Sequence, residues 1–268
     1  MSDIRLDGKV ALITGAGSRG GLGRAMTSAL VKAGARVAMV DVDAASLDDG
    51  AAEMRQAGGN DCVTTIVADA TVFADAERAV RQTIDSLGGL QVLINNAGIN
   101  PRFSFWELPP DAWIKTIAVN VTGPFLMAKA AAPHLRQQGW GRIVGVTTSL
   151  DTMLATMPYG PSKAGHEAFM SVLAKELEGT GVTANVLVPG GAVDTAMTQG
   201  LGYDANALLR PEVMQDPIVW LASNESDGFH GQRIIARRWD ESLPIDKRLE
   251  ACAAPIAWPQ LGRPSQER

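Results

Sequence analysis

Short apolar runs rich in β-branched residues recur along the chain, separated by longer segments of helical period. No other feature restricts the fold as much. The runs are "VALIT" (10–14), "RVAMV" (36–40), "VTTIVA" (63–68), "QVLINN" (91–96), "RIVGVT" (142–147), "TANVLV" (183–188) and "GQRIIA" (231–236). Strands that are apolar throughout are covered by helices on both faces, and the strand–helix alternation is the βαβ pattern of a parallel sheet. Segments 22–33, 44–57, 73–87, 110–136 and 161–178 read as the helices, with Ser46 and Asp111 near starts and Gly34, Gly58, Gly88 and Gly179 where helices stop. The expected fold class is therefore α/β, a doubly wound, Rossmann-type parallel sheet in a single domain.

A chain of 268 residues, 46% hydrophobic and 20% charged, suits one such domain. Residues 1–240 are assigned to it. Residues 241–268 carry four prolines and read as an irregular tail, expected to pack near the site on its own or a neighbouring subunit. The section 190–214, rich in Gly, Thr and Met, reads as a loop with helical pieces over a site. A net charge of −5 argues against a nucleic-acid partner, which would demand a basic face, and leaves small molecules as partners. The N-terminal "MSDIRLDGKVALITG" has charges where a signal peptide needs an apolar core, and no later stretch gives the roughly 18 apolar residues of a membrane span. A cytoplasmic location without a membrane partner is expected. Cys62 and Cys252 sit in no CxxC or Cys/His cluster, and His134, His166 and His230 share no ligand spacing, so no metal is expected.

The first strand runs into "TGAGSRGGLGRAM" (14–26). Glycines there let the backbone turn tightly and approach a pyrophosphate, while the following helix points its free N–H groups and dipole at the charge. Alone, such a run is also a tight strand-to-helix turn. Its place after the first strand and before a helix favours a dinucleotide site. The second strand ends in "AMVDVD", where an acidic residue accepts hydrogen bonds from the adenosine ribose. Asp41 is the candidate, with Asp43 the alternative and an N-cap or turn the competing role.

These stretches, with "ADA" (68–70), "NNAG" (95–98), "VNVTGPF" (119–125), "YGPSK" (159–163) and "VPGGAVDT" (188–195), resemble the classical short-chain dehydrogenases/reductases over about residues 5–236, in the family's order. The resemblance implies that Gly15, Gly21, Leu22 and Gly23 line the phosphates of a nicotinamide dinucleotide. It also implies that Asp69 and Ala70 meet the adenine, that Asn96, Ala97 and Gly98 let the backbone pass close to the cofactor, and that Pro189, Gly190 and Thr195 lie at the nicotinamide end. Asn120, Tyr159 and Lys163 would be three of four catalytic residues, with Tyr159 and Lys163 also touching the cofactor. The glycine loop is longer than the family's usual one, so Gly17, Gly20 and Gly21 are all open as the point of closest approach. The catalytic hydroxyl falls on Thr148 by counting along the strand and on Ser149 by residue type, and both stand closer to Tyr159 than is usual. Arg19, in the glycine loop, and Asp41 pull cofactor choice towards NADP and NAD respectively, and the carboxylate is expected to win.

A free tyrosine has a pKa of about 10. A helix beginning near Gly160 and Pro161 places Tyr159 and Lys163 on one face, one turn apart. Positive charge from the lysine and an oxidised nicotinamide would favour the phenolate and let Tyr159 exchange a proton with a substrate hydroxyl near neutral pH. The expected activity is NAD-dependent interconversion of a secondary alcohol and a ketone, in a homodimer or homotetramer as in the family. The alternative is a non-catalytic NAD-binding sensor, for which Asn120, Tyr159 and Lys163 would be superfluous. The loop 100–110 groups Arg102, Phe103, Phe105 and Trp106 either as a substrate wall in which Arg102 recognises an anion or as an aromatic packing cluster with a solvated arginine, and "RRWD" (237–240) replaces the family's short glycine-ending turn.

Overall fold

The computed structural model describes residues 4–200 and 202–258. Its strands are β1 (Val10–Thr14), β2 (Arg36–Asp41), β3 (Val63–Val67), β4 (Val92–Asn95), β5 (Arg102–Phe103), β6 (Gly141–Val146), β7 (Met157–Pro158), β8 (Val182–Val188), β9 (Gln232–Ile235) and β10 (Ala253–Pro255). Eight of them form one sheet in the order β10-β9-β8-β6-β4-β1-β2-β3, parallel except where β10 runs against β9. β5 and β7 make a separate antiparallel pair. All seven strands expected from the sequence are present, and the doubly wound parallel architecture is as the alternation predicts.

The helices are α1 (Leu22–Lys32), α2 (Ala44–Gly58), α3 (Phe73–Leu87), α4 (Pro110–Ile117), α5 (Gly123–Gln137), α6 (Leu150–Ala155), α7 (Tyr159–Glu176), α8 (Gln215–Leu221) and α9 (Ile245–Cys252). Side chains alternate across each strand, and this splits the core in two. Ala11 and Ile13 of β1 face Met26, Leu30, Leu47 and Ile218 of α1, α2 and α8. Val10 and Leu12 face Ala79, Met127 and Met170 of α3, α5 and α7. Buried polar side chains on the strands are paired: Arg142 Nε donates to Ser226 Oγ and Asn185 Nδ2 to the Phe229 carbonyl.

Local chemistry fixes the helix ends with small departures from expectation. Asp43, not Ser46, caps α2, accepting from the N–H groups of Ala45 and Ser46, and α2 runs through Gly58 to end at Gly59. Gly88 ends α3 in the left-handed conformation that side chains resist. The segment expected as one helix over 110–136 is interrupted by a π-turn over Ala118–Thr122, centred on Asn120.

The largest departure is at the C-terminal end. Residues 241–258 are not irregular: α9 and β10 extend the main sheet past β9, and Cys252 and Ile256 are buried in opposite core layers. Pro244 precedes α9 and Pro255 ends β10, so these prolines flank the elements rather than break them. The rest of the expected tail, 259–268, lies outside the described residues. Among the described residues no helix is long and apolar enough to cross a membrane.

Candidate active site

The parallel strands all end on one edge of the sheet, and the strand order reverses between β1 and β4. In open α/β sheets a crevice opens at such a point. Here the two strand ends are tied together: Asn96 Nδ2 donates to the carbonyls of Thr14 and Gly15 at 3.0 and 2.9 Å, and the N–H groups of Asn96 and Ala97 donate to Thr14 Oγ1. A Cβ on Gly15 would come within 2.8 Å of Ala97 Cα, and one on Gly23 within 2.3 Å of the Gly15 carbonyl oxygen. Glycine is required where α1 packs this closely on the end of β1.

Gly21 caps α1 without a side-chain hydrogen bond, so the first N–H groups of the helix stay available to a ligand. Leu22 opens the helix and packs on the core. Gly17 donates its N–H to Asp41 Oδ2 at 3.0 Å, which brings the carboxylate at the end of β2 against the glycine loop. Arg19 is exposed in the same loop. The loop shape depends on a residue that sequence reasoning passed over. Arg24 is 4% exposed, donates to the carbonyls of Gly17 and Ser46, and pairs with Asp49 and Glu53. Its signal was a basic residue on the buried face of α1 opposite the acidic residues of α2.

Along the same edge, exposed Asp69 accepts from the N–H and hydroxyl of Thr71. Ala70 lies half-buried beside it, where a Cβ on Gly123 would touch it at 3.5 Å. Pro189 accepts from the Arg237 N–H, Gly190 has φ of 90°, and the Thr195 N–H is held by Thr198 Oγ1. These residues border the crevice on the β8 side.

The catalytic candidates converge at Gly98. A Cβ there would stand 3.3 Å from both Asn120 Oδ1 and Lys163 Nζ. Asn120, fully buried in the π-turn, exchanges two hydrogen bonds with the backbone of Ile99 and donates to Ser162 Oγ. Ser162 in turn donates to the Tyr159 carbonyl. Lys163 Nζ donates to the Val146 carbonyl at 2.9 Å and lies 5.7 Å from the centre of the Tyr159 ring. Tyr159 and Lys163 thus share a face of α7, which begins at Tyr159 itself, two residues earlier than expected.

Burial pushes the Tyr159 phenol up to about 12, opposed by the positive charge of Arg102. Burial pulls the Lys163 ammonium down to about 8. The protein atoms alone therefore hold the phenol above its ordinary value, and positive charge brought by a ligand would lower it.

The two hydroxyl candidates differ in what they already hold. Ser149 caps α6, accepting from the Thr152 N–H, and its Oγ lies 3.0 Å from Thr152 Oγ1. The half-buried Thr148 hydroxyl makes no hydrogen bond among the described residues, while its carbonyl accepts from Arg233 Nη2. Behind it, Thr147 donates to the fully buried Glu167, which pairs with Arg233. Sequence reading missed this buried pair, since its members lie on different elements with no motif linking them.

A match to the family described as short chain dehydrogenase covers residues 9–206. The chain belongs to the classical short-chain dehydrogenase/reductase family. This short-chain dehydrogenase is 37% identical over 190 residues to the D-beta-hydroxybutyrate dehydrogenase of Cupriavidus necator, covering 69% of this chain and 71% of that protein. Among solved structures, a short-chain type dehydrogenase/reductase from Mycobacterium marinum superposes with a TM-score of 0.79 at 30% identity, over 86% of this chain and 94% of the other. A candidate NAD(P)-dependent gluconate 5-dehydrogenase from Beutenbergia cavernae, with NADP bound at low occupancy, gives 0.79 at 29% identity, over 88% and 97%. The short-chain dehydrogenase is accordingly an oxidoreductase, of a family that binds a nicotinamide cofactor.

The other sequence candidates divide. His230 joins β8 to α7 by accepting from the Ala184 N–H and meeting the Ala174 carbonyl. His166 is buried without a partner among the described residues. Among the described residues no group of His, Cys, Asp and Glu side chains could hold a metal ion. Phe105 and Trp106 stack edge to face at 5.1 Å and are exposed rather than forming a closed wall. In the "RRWD" stretch, Trp239 leaves the crevice to pack on Trp220.

Proposed function

We infer that this short-chain dehydrogenase interconverts a secondary alcohol and a ketone using NAD, with Tyr159 as general acid and base. The convergence of Lys163 Nζ and Asn120 Oδ1 on Gly98, one helical turn from Tyr159, carries the reading. The glycine-lined start of α1, with its free N–H groups and the nearby Asp41 carboxylate, fits a dinucleotide whose ribose bears free hydroxyls. Gly15, Gly21 and Gly23 would hold the pyrophosphate, Asp69 and Ala70 the adenine, Gly98 and Thr195 the nicotinamide end.

A nicotinamide cofactor, when bound, supplies the hydride acceptor or donor and, oxidised, a positive charge. In oxidation, Tyr159 Oη takes the substrate hydroxyl proton as the carbinol C–H leaves as hydride; in reduction it returns the proton. Lys163, still largely protonated at pH 7, favours the phenolate and reaches towards the ribose hydroxyls. Asn120 holds open the π-turn beside the lysine, where water can resupply its proton. Thr148, with its hydroxyl uncommitted, holds the substrate oxygen in preference to Ser149. A screen of secondary alcohols following NADH absorbance identifies a substrate, and Tyr159→Phe is then expected to retain NADH binding and to lower kcat on the order of a thousandfold. Unaltered kcat would refute the reading.

Association into a homodimer or homotetramer fits the outer faces of α5 and α7, where Phe125 is 46% and Val172 60% exposed.

A further inference from the structure

Arg102 lends positive charge to the Tyr159 phenol, and its backbone is held in the β5–β7 pair. In the β5–β7 pair its Cα lies opposite Pro158, the residue that caps α7 directly before Tyr159. Opposed residues of an antiparallel pair stand roughly 5 Å apart, within reach of an arginine side chain to the tyrosine. The guanidinium is steadied from the other wall of the crevice: Nη2 donates to Tyr203 Oη at 3.0 Å, and the group lies 5.6 Å from the Tyr203 ring centre.

What it lacks is an anion. The buried arginines Arg24, Arg142 and Arg233 each pair with a carboxylate, whereas the exposed Arg102 pairs with none among the described residues. Its single hydrogen bond to tyrosine leaves the other N–H donors open, in the planar fork that grips a carboxylate at two points. An anion held there would lie close enough to Tyr159 to belong to the same molecule as the reacting hydroxyl. A monoanion suits the site better than a phosphate dianion, because negative charge near the phenol opposes the phenolate that oxidation requires.

We propose that Arg102, steadied by Tyr203, is an anion-recognising arm of the pocket and that the substrate is a hydroxy acid, or the corresponding keto acid, whose carboxylate pairs with it. This rests on the dehydrogenase reading given above. The test is a panel of 2- and 3-hydroxy acids and sugar acids, each beside its methyl ester and a phosphorylated alcohol of similar size, assayed with NAD and with NADP. The acid should exceed its ester by about tenfold or more in kcat/KM. Arg102→Gln should raise KM for the acid about ten- to hundredfold and bring the acid-to-ester ratio towards one, and Arg102→Lys should recover part of the ratio. Equal turnover of acid and ester by the unmodified protein, a stronger preference for the phosphorylated alcohol, or an equal fall for acid and ester in Arg102→Gln would each overturn the carboxylate assignment. Turnover confined to neutral alcohols and abolished by Tyr159→Phe overturns it while the dehydrogenase reading stands. A panel without any turnover, with either cofactor, counts against both.

Discussion

The N–H of Gly17 and the carboxylate of Asp41 are hydrogen-bonded at 3.0 Å, which joins the glycine loop to the end of β2 at the point where an adenosine ribose would lie. A 2′-phosphate there meets a like charge. At about 4 Å and an effective dielectric near 20, two unit charges repel by about 4 kcal/mol, and solvent and salt reduce this to about 1–2 kcal/mol. The expected outcome is NAD over NADP by roughly five- to thirtyfold in kcat/KM. Asp41→Ala should narrow the gap and Arg19→Ala widen it, as steady-state kinetics with both cofactors will show. Equal use of the two by the unmodified protein would contradict this weighting.

Thr148→Val and Ser149→Ala should have different consequences. Losing a donor to the substrate oxygen costs on the order of a hundredfold or more in kcat, and the Thr148 variant should show it. Ser149→Ala removes the α6 cap, for about 1 kcal/mol of stability, with kcat within severalfold of the parent. Kinetics and denaturant unfolding of both proteins separate the two roles. The reverse pattern would assign the substrate contact to Ser149.

For Lys163 the sign of the pH effect follows from its depressed value of about 8. Between that value and the ordinary 10.5, the unfolded chain binds a proton that the folded chain resists, so stability rises with pH across this window and the full cost is present below it. The shift corresponds to about 3 kcal/mol, less about 1 kcal/mol for the Val146 carbonyl left without its donor in a Lys163→Met variant. The inactive variant should therefore be more stable than the parent by about 2 kcal/mol at pH 7, an advantage that shrinks towards pH 10. Urea titrations at both pH values measure the difference; one that does not vary with pH excludes a buried charge as its source.

Truncation after Pro244 removes α9 and β10, together with buried Cys252 and Ile256 and the bonds from Arg248 to the carbonyls of Asp240, Glu241 and Leu243. Burying one isoleucine contributes about 1.5–3 kcal/mol, and a Tm lower by about 5–10 °C is expected. Calorimetry showing an unchanged Tm would mean that the added strand does not support the sheet.

The strands and the long helices were legible in the sequence because period and β-branching report burial directly, as in "VALIT" against both core layers. The C-terminal elements were not, because proline in sequence reads as a breaker, whereas Pro244 and Pro255 stand at the ends of α9 and β10. The crevice was legible as a sequence of glycines and acids. Which of Thr148 and Ser149 is uncommitted was not, since it depends on whether a six-residue helix forms behind Ser149. Arg24 and the Glu167–Arg233 pair were equally hidden: each is paired across elements far apart in the chain, and a charge in sequence carries no mark of the partner that lets it be buried.

The antiparallel β10 also sets an order on synthesis. A chain made from its N-terminus folds domain-wise as it emerges, yet here the sheet edge at β9 is covered by residues 253–255, and Ile256 completes the layer under α7. Everything that forms the crevice is made before the strand that seals its sheet. The nascent protein therefore passes through a stage with an open β9 edge, and Pro255, which has no N–H to offer a further strand, helps to end that exposure once the last turn of α9 has brought it into place.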